Sequence, residues 1–203
     1  MADPVLGRRQ LIGPVGLYDQ GAKLLYLVVR QGESMDIRRA MAGDAEQVAE
    51  IYNWYILNTI VTFETDVLSP HEVEKRIQET NMKHEWLVGE VNQELIGYAY
   101  YGPFRGRAAY HHTVESTIYL SQESIGKGFG RVLYGKLIES IRDRGFREVI
   151  GVIALPNPQS IVLHQMMGFA EVGVLKGVGY KFGRYIDVGI WQLRQPAGSD
   201  ADK

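Results

Sequence analysis

The chain has 203 residues, of which 45% are hydrophobic and 23% are charged, a composition typical of a globular domain with a full core. The formal net charge is −2 and the basic residues are scattered, so we expect no nucleic-acid partner. The chain has no cysteine, which excludes disulfides, thiolate metal sites and a cysteine nucleophile, and agrees with a cytoplasmic protein. The apolar run at residues 24–29 is too short to span a membrane, so no membrane partner is predicted.

The two ends of the chain differ in character from its middle. Residues 1–34 are rich in glycine and proline, and regular patterning begins only at Met35. We interpret 1–34 as an N-terminal extension, partly disordered, with Met35 as a candidate true initiator; the alternative is an added strand at 24–30. Residues 35–195 are predicted to form one domain, followed by a flexible tail at 196–203.

From Met35 onward, strand and helix patterns alternate. Residues 36–40 are predicted to form a strand, and Asp44 is predicted to cap the next helix, with Gln47 in the capping-box position. A second helix is predicted to begin at Ser69-Pro70, with Glu72 at its third position.

Three strand patterns follow the second helix, at 86–91, 95–101 and 113–120. The tight turn at Asn92-Gln93 suits an antiparallel hairpin between the first two. Two further helices are predicted at 128–144 and 158–167, and three further strands at 148–154, 170–178 and 185–192. The pattern predicts an α/β (α+β) domain with a mostly antiparallel central sheet flanked by helices.

A glycine-rich turn lies between the strand at 113–120 and the helix after it. Gly126, Gly128 and Gly130 alternate there, and their missing side chains let backbone N–H groups approach an anion beside the positive helix end. The dinucleotide fingerprint fits in neither register, and a Walker A loop would need Ser or Thr after its lysine. The spacing therefore predicts a pyrophosphate site of another kind, beside the strand acid Glu115.

Residues 125–130 resemble the acetyl-CoA loop of the GNAT acetyltransferases, with both late glycines present and Ile125 where the family has Gln or Arg. Asn157, then His164, then Gly168-Phe169 resemble the family's Asn, Tyr and closing Gly-Phe, with His164 at the Tyr position. The resemblance extends over almost all of 35–193 and is closest to the phosphinothricin acetyltransferases and their methionine-sulfoximine relatives. The segments that carry it are 61–65, 99–105, 109–110, 113–119, 155–157 and 187–192.

This resemblance implies the GNAT acyl-CoA N-acyltransferase fold and acetyl transfer from acetyl-CoA to the primary amine of a small amino-acid-like acid. It also implies a homodimer whose subunits complete the pocket. The pair His111-His112 departs from the residues of the herbicide-resistance members. Other acceptors remain open, including another amine or a protein N-terminus, and so does a non-catalytic acyl-CoA-binding module.

The chemistry of the implied reaction suggests catalytic roles. An ammonium cannot attack a thioester, so Glu115, if partly buried, is the candidate base; the alternatives are an ordinary strand acid or an ammonium anchor. His164 is a candidate proton donor to the leaving thiolate, and the alternative is a histidine that only orients its neighbours. Tyr119 should share the face of Glu115. Main-chain groups of Ile118, Tyr119 and Leu120 are expected to meet the oxyanion and the pantetheine amides.

The remaining site residues are predicted as two groups. The cofactor group comprises Gly126, Lys127, Gly128, Phe129, Gly130, Arg131, Asn157 and Ser160. The acceptor group comprises Phe63, Arg105, Gly106, Arg107, Tyr110 and Glu115. Arg105 and Arg107 are expected to clamp a carboxylate or phosphinate and to disfavour a polycation, although surface arginines would look the same in sequence. No metal site is predicted, because His111 and His112 should point to opposite faces of a strand and belong to no ligand cluster.

Overall fold

A computed structural model describes residues 34–196. The predictions for residues 1–33 and 197–203 lie outside the described residues. The four helices are α1 (Ala45–Asn58), α2 (Pro70–Lys83), α3 (Phe129–Asp143) and α4 (Pro158–Met166). The strands are β1 (Asp36–Arg39), β2 (Trp86–Val91), β3 (Glu94–Pro103), β4 (Thr113–Leu120), β5 (Glu148–Leu155), β6 (Ala170–Lys181) and β7 (Arg184–Arg194).

The strands form one seven-stranded sheet in the order β1-β2-β3-β4-β5-β7-β6. Every neighbouring pair is antiparallel except β4 and β5, which are parallel. This confirms the predicted mixed domain with a mostly antiparallel sheet.

Helices cover both faces of the sheet. On one face, α1 and α2 pack on β2 and β3 around Val48, Ile77, Val88 and Tyr98. On the other, α3 packs over β3, β4 and β5, where Leu133, Leu137 and Val149 are completely buried. The helices α1, α2 and α3 each bury a stripe of apolar side chains against a sheet face, whereas the one buried side chain of α4 is that of His164.

The start of α2 confirms its predicted cap. The Ser69 hydroxyl accepts a hydrogen bond from the Glu72 N–H at 3.3 Å, and the Glu72 carboxylate accepts one from the Ser69 N–H at 2.8 Å. The two side chains therefore satisfy backbone donors at the helix start reciprocally.

The predicted cap of α1 is wrong. Asp44 makes no side-chain cap bond, because its carboxylate accepts from the Arg38 guanidinium at 2.7 and 2.8 Å and from the Met41 N–H at 2.7 Å. Gln47 accepts from the Leu95 N–H at 3.2 Å instead of closing a capping box. A charge-assisted pair with arginine is stronger than a neutral cap bond, and this long-range partner is invisible in the local pattern.

The hairpin between β2 and β3 confirms the predicted tight turn, since Asn92 and Gln93 adopt φ of 52° and 70°. The hairpin between β6 and β7 is longer than predicted, with Phe182 and Gly183 at its tip. A register irregularity between Leu175 and Gly179 interrupts the alternation of β6, which is why the sequence pattern ended the strand too early.

Among residues 34–196, no helix combines the length and apolarity needed to cross a bilayer.

Candidate active site

The central feature of the site is a gap between β4 and β5. The two strands pair only from Thr113–Glu148 to Ser116–Gly151, and then separate while β4 continues to Leu120. The Ser121 N–H donates to the Ile96 carbonyl at 2.8 Å. This bond shows which of the alternating residue pairs of β3 and β4 are the hydrogen-bonded ones. By the alternation of an antiparallel pair, the peptide groups of Tyr119 face β3, and those of Ile118 and Leu120 face the gap. One of them is already used, because the Leu120 carbonyl accepts from the Tyr55 hydroxyl at 2.8 Å.

The glycine turn leads from β4 into α3. Gly126 and Gly128 adopt φ of 78° and 94°, a conformation that side chains disfavour, and a Cβ on either would meet nothing within 4 Å. No side chain caps α3; the Arg131 N–H donates to the Gly128 carbonyl at 3.2 Å, and the N–H groups before Arg131 receive no side-chain cap bond. Lys127 and Arg131 are exposed beside this turn. The arrangement is a positively polarised, uncapped helix start suited to an anion.

Phe129 and Gly130, at the start of α3, contribute to core packing. Phe129 is buried with Val91 and Ile96, so only its main chain remains for a ligand. A Cβ on Gly130 would lie 3.3 Å from the Leu120 side chain, so the glycine allows α3 to approach β4 closely.

Glu115 lies on β4 where β4 and β5 are still paired, and its side chain is half-buried. By the alternation of the strand it shares a face with Tyr119, which packs against Tyr52 and Tyr55 of α1. Burial raises the pKa of Glu115, and the positive charge of Arg105 opposes part of that rise. A carboxyl group with a raised pKa exchanges protons closer to neutral pH.

His164 lies on the opposite face of the sheet, in α4. Its Nδ1 is 2.8 Å from the Ser160 carbonyl oxygen and its Nε2 is 3.1 Å from the Tyr134 hydroxyl. The Tyr134 hydroxyl is in turn 2.8 Å from the Ser116 hydroxyl. Burial lowers the pKa of His164, partly offset by the Ser160 carbonyl. The sequence analysis missed Tyr134 and Ser116; the spacing of Tyr134 to Leu137 and Ile141 signals burial, but no local pattern reveals its partners.

Asn157 and Ser160 are brought together at the start of α4. The Asn157 side-chain oxygen accepts from the Ser160 N–H at 3.1 Å, which makes Asn157 the helix cap. The Ser160 hydroxyl lies 3.3 Å from His164 Nδ1. Both residues therefore order the helix that carries His164.

Most of the predicted acceptor residues lie in the loop between β3 and β4. Arg105, Gly106, Arg107 and Tyr110 are exposed there, and the Arg105 guanidinium lies 4.9 Å above the Phe104 ring. Phe63 lies elsewhere, with its ring against the backbone of Gly179 on β6. The predicted acceptor residues therefore come from two different parts of the fold, and the role of Phe63 in the site stays a prediction.

Sequence reasoning also missed Lys181, which holds the backbone of Thr62, the residue before Phe63. Lys181 is only 5% exposed, and its ammonium group donates to the Thr62 carbonyl at 2.8 Å. Burial lowers the pKa of Lys181. Nothing in the sequence marks this lysine, because a lysine at the end of a hairpin strand is normally exposed.

The prediction that His111 and His112 occupy a strand is wrong. They lie in an exposed turn, where the His111 N–H donates to the Ala108 carbonyl at 3.1 Å, and their ring centroids are 3.9 Å apart. The short helical turn at Ala108–Tyr110 places both histidines before β4, which begins at the predicted residue, Thr113. Within the described range, no three His, Asp or Glu side chains are grouped as metal ligands.

Residues 22–190 match the family model described as an acetyltransferase (GNAT) domain. The chain is 40% identical to a phosphinothricin N-acetyltransferase of Streptomyces viridochromogenes, over 78% of this chain and 86% of that protein. It is 34% identical to an L-methionine sulfoximine/L-methionine sulfone acetyltransferase of Salmonella typhimurium, over 79% of this chain and 94% of that protein. Its structure resembles a GNAT superfamily phosphinothricin acetyltransferase of Sinorhizobium meliloti in complex with acetyl-CoA, with a TM-score of 0.76 and 34% identity over 82% and 94% of the two chains. These similarities confirm the family predicted from the sequence.

Proposed function

The chain belongs to the GNAT acetyltransferases and is an N-acetyltransferase, and we propose that it transfers the acetyl group of acetyl-CoA to the primary amine of a small amino-acid analogue. Phosphinothricin and methionine sulfoximine are the proposed acceptors, because relatives that act on them cover most of the chain. The single observation that carries the catalytic assignment is the half-buried Glu115, with a raised pKa, beside the gap between β4 and β5.

The residues at the gap suit acetyl-CoA. The open space at Gly126 and Gly128 and the uncapped start of α3 fit a pyrophosphate, and Lys127 and Arg131 add positive charge. The Ile118 N–H and C=O groups and the Leu120 N–H face the gap and fit amide groups of an extended chain lying along β4. When bound, acetyl-CoA supplies the acetyl group as a thioester.

Glu115 is proposed as the base, acting directly or through one water molecule. The acceptor amine is an ammonium ion at neutral pH and becomes nucleophilic only after it loses a proton. The raised pKa of Glu115 brings the carboxylate closer to the working pH, which makes the proton transfer more favourable. A main-chain N–H in the gap, from Ile118 or Leu120, is the proposed donor to the developing oxyanion.

Arg105 and Arg107 are proposed to hold the acidic group of the acceptor. Both are exposed in the loop before β4, and the charge of Arg105 already acts on Glu115. Arginine pairs with carboxylates and phosphinates through two parallel N–H bonds, which would fix the amine relative to the base. Phe63 and Tyr110 are proposed as apolar walls. The proposed role of His164 as a proton donor stays a prediction, and its hydrogen bonds support a different role argued below.

The test follows thiol release from acetyl-CoA with four acceptors: phosphinothricin, methionine sulfoximine, spermidine and a peptide with a free N-terminus. We expect turnover with the first two and its strong reduction in Glu115→Gln. Turnover confined to the peptide or to spermidine would replace the proposed acceptor. Tight acetyl-CoA binding without turnover of any acceptor would instead indicate a binding module.

We also propose that the protein is a homodimer. The β6–β7 hairpin exposes large apolar side chains, namely Val172, Leu175, Val178, Tyr180, Phe182 and Tyr185. The same hairpin supports Phe63 through Gly179 and Thr62 through Lys181, so a second copy placed on it would border the acceptor site. Light scattering of the purified protein should give the dimer mass, and Val178→Glu should yield the monomer mass.

A cytoplasmic location is proposed from the lack of cysteine alone.

A further inference from the structure

A chain of polar groups is buried where α3 and α4 meet the sheet. It runs from the Ser116 hydroxyl to the Tyr134 hydroxyl, then to the His164 imidazole, and ends at the Ser160 carbonyl. Ser116 and His164 are each 5% exposed, and Tyr134 is completely buried. Polar groups buried to this extent are costly unless all of them find partners, so the arrangement of the protons is constrained.

The Ser160 carbonyl decides the tautomer of His164. A carbonyl oxygen can only accept, so the hydrogen must be on Nδ1. In a neutral imidazole Nε2 then carries a lone pair and accepts from Tyr134, whose oxygen accepts from Ser116. Every polar group in the series then has a hydrogen-bond partner, and each hydroxyl or N–H donates in the direction of Ser160.

Protonation of His164 would reverse the direction of donation in part of this hydrogen-bonded series. Nε2 would donate to Tyr134, Tyr134 to Ser116, and Ser116 to the Ile150 carbonyl, which is 3.4 Å away at the limit of a hydrogen bond. The groups packed on the ring are Tyr134 of α3, Ser160 of α4, Gly151 of β5 and Phe169 just before β6, none of them a carboxylate. The surroundings therefore favour the neutral imidazole, in agreement with the lowered pKa of His164.

This series of hydrogen-bonded groups lies at the point where the gap between β4 and β5 opens. Ser116 and Gly151 form the last pair between β4 and β5, and a Cβ on Gly151 would lie 2.6 Å from the His164 ring. The imidazole thus rests directly on the β5 backbone. Tyr134 belongs to the helix that begins with the glycine turn, and His164 to the helix that Asn157 caps. One hydrogen-bonded chain therefore ties both helices to the strands.

We propose that Ser116, Tyr134 and neutral His164 are positioning residues, which hold α3 and α4 at the opening between β4 and β5 and so preform the acetyl-CoA site. This assignment rests on the proposed function and gives His164 a role other than proton donor. It makes the Tyr134 hydroxyl, a group that need not touch either substrate, a determinant of cofactor affinity.

The decisive variant is Tyr134→Phe, which keeps the ring and removes the hydroxyl that links Ser116 to His164. We expect acetyl-CoA binding, measured by calorimetry, to weaken about tenfold, the size expected for one lost buried hydrogen bond with its partners left unsatisfied. The KM for acetyl-CoA should rise by a similar factor, while kcat changes less. Ser116→Ala, a milder change, should move both quantities in the same direction if Tyr134→Phe folds poorly.

Tyr101→Phe is the matched control. Tyr101 is also completely buried in the same core, and its hydroxyl accepts from Arg144 at 3.1 Å, near the far end of α3. Its loss should lower stability comparably and leave acetyl-CoA affinity unchanged. Equal effects of the two variants on affinity, or unchanged affinity in Tyr134→Phe, would overturn the proposal.

His164→Asn separates positioning from acid catalysis. The amide can still donate to Ser160 but does not titrate, so the positioning role predicts a pH profile of kcat with unchanged shape. A proton donor predicts a loss of about 10²–10⁴-fold in kcat, the removal of the alkaline limb and an unchanged KM for acetyl-CoA. Nitrogen NMR should show one imidazole, absent in His164→Asn, that carries a hydrogen on Nδ1 and stays neutral to lower pH than the exposed histidines, because burial lowers its pKa. An imidazole that titrates like the exposed histidines would contradict the proposal. Calorimetry and NMR need no acceptor, so their outcome is independent of whether the proposed acceptors are turned over.

Discussion

Ser116 on β4 stands opposite Gly151 on β5, and beyond this pair the two strands part. The residue before Ser116 is Glu115, and because neighbouring side chains of a strand point to opposite faces, this dipeptide contributes to both sides of the sheet. Glu115 faces the side of Tyr119 and α1, whereas Ser116 reaches Tyr134 on α3. The proposed base and the proposed support of the cofactor site are thus fixed by adjacent residues, at the place where the gap begins.

Glu115→Gln should lower activity and raise stability at neutral pH. Removal of a general base reduces kcat by about 10²–10⁴-fold, and the rise of the rate with pH, which reports deprotonation of Glu115, should disappear. The folded-state pKa of Glu115 is raised by burial. Its stabilising contribution is therefore present below the unfolded pKa and lost as the pH rises through the folded pKa. A neutral glutamine avoids this loss, so urea unfolding at pH 7 should have a higher midpoint.

Glu94→Gln is the control, because Glu94 is exposed at the start of β3. It should change neither kcat nor the urea midpoint appreciably. An active Glu115→Gln with an unchanged pH profile would remove the base assignment and leave Glu115 as an ammonium anchor.

Arg105→Gln should change both acceptor affinity and the pH dependence. The charge of Arg105 lowers the pKa of Glu115 against the larger effect of burial, so its removal should move the acidic limb of the rate profile to higher pH. The KM for phosphinothricin should rise about tenfold or more through loss of a charge-assisted bond, while the KM for acetyl-CoA stays the same. Steady-state kinetics over a broad pH range measure both effects, because the acidic limb of the rate profile reports the deprotonation of Glu115.

Arg107→Gln serves as the comparison within the same loop. Both arginines are exposed, but only Arg105 acts on the pKa of Glu115. We expect Arg107→Gln to raise the KM for the acceptor without moving the acidic limb. Identical shifts of the limb in the two variants would mean that the loop acts through its net charge rather than through Arg105.

The sequence predicted the elements well because their signals are local. The Ser69–Glu72 capping box, the Asn92-Gln93 turn and the glycine turn before α3 each depend on residues within a few positions of one another. Apolar periodicity then assigned strands and helices correctly. The glycines at 126 and 128 could be interpreted from chemistry alone, since few residues other than glycine adopt their backbone conformation.

The missed features depend on partners far apart in the chain. Arg38 takes the carboxylate of Asp44 away from its helix, Lys181 reaches Thr62 across more than half the chain, and Tyr134 joins Ser116 to His164. No local pattern distinguishes these residues from ordinary surface or core residues. The separation of β4 and β5 is also invisible in sequence, because both strands keep their alternation beyond the last pair.

Gly179→Ala should weaken acceptor binding through Phe63. A Cβ at Gly179 would clash with the Phe63 ring, so the ring must move away from β6. If Phe63 walls the acceptor pocket, the KM for phosphinothricin should rise several-fold, with the KM for acetyl-CoA unchanged; a displaced packing contact typically costs about 1–3 kcal/mol. Gly173→Ala is the control on the same strand, where a Cβ would meet nothing within 4 Å. Equal acceptor KM values in both variants would place Phe63 outside the pocket.

Gly128→Ala should impair both folding stability and acetyl-CoA binding. Gly128 caps α3 with φ of 94°, and a side chain in this left-handed conformation costs about 1–2 kcal/mol. Relief of that strain would turn the first N–H groups of α3 away from the proposed pyrophosphate site, so the acetyl-CoA dissociation constant should rise. Gly135→Ala makes the same chemical change inside α3, with open space for the methyl group, and should stabilise the protein by about 0.5–1 kcal/mol. Calorimetric titration and thermal unfolding of both variants distinguish the two effects. If Gly128→Ala lost stability but bound acetyl-CoA with the affinity of the unchanged protein, the glycine turn would be a structural feature and the anion site would lie elsewhere.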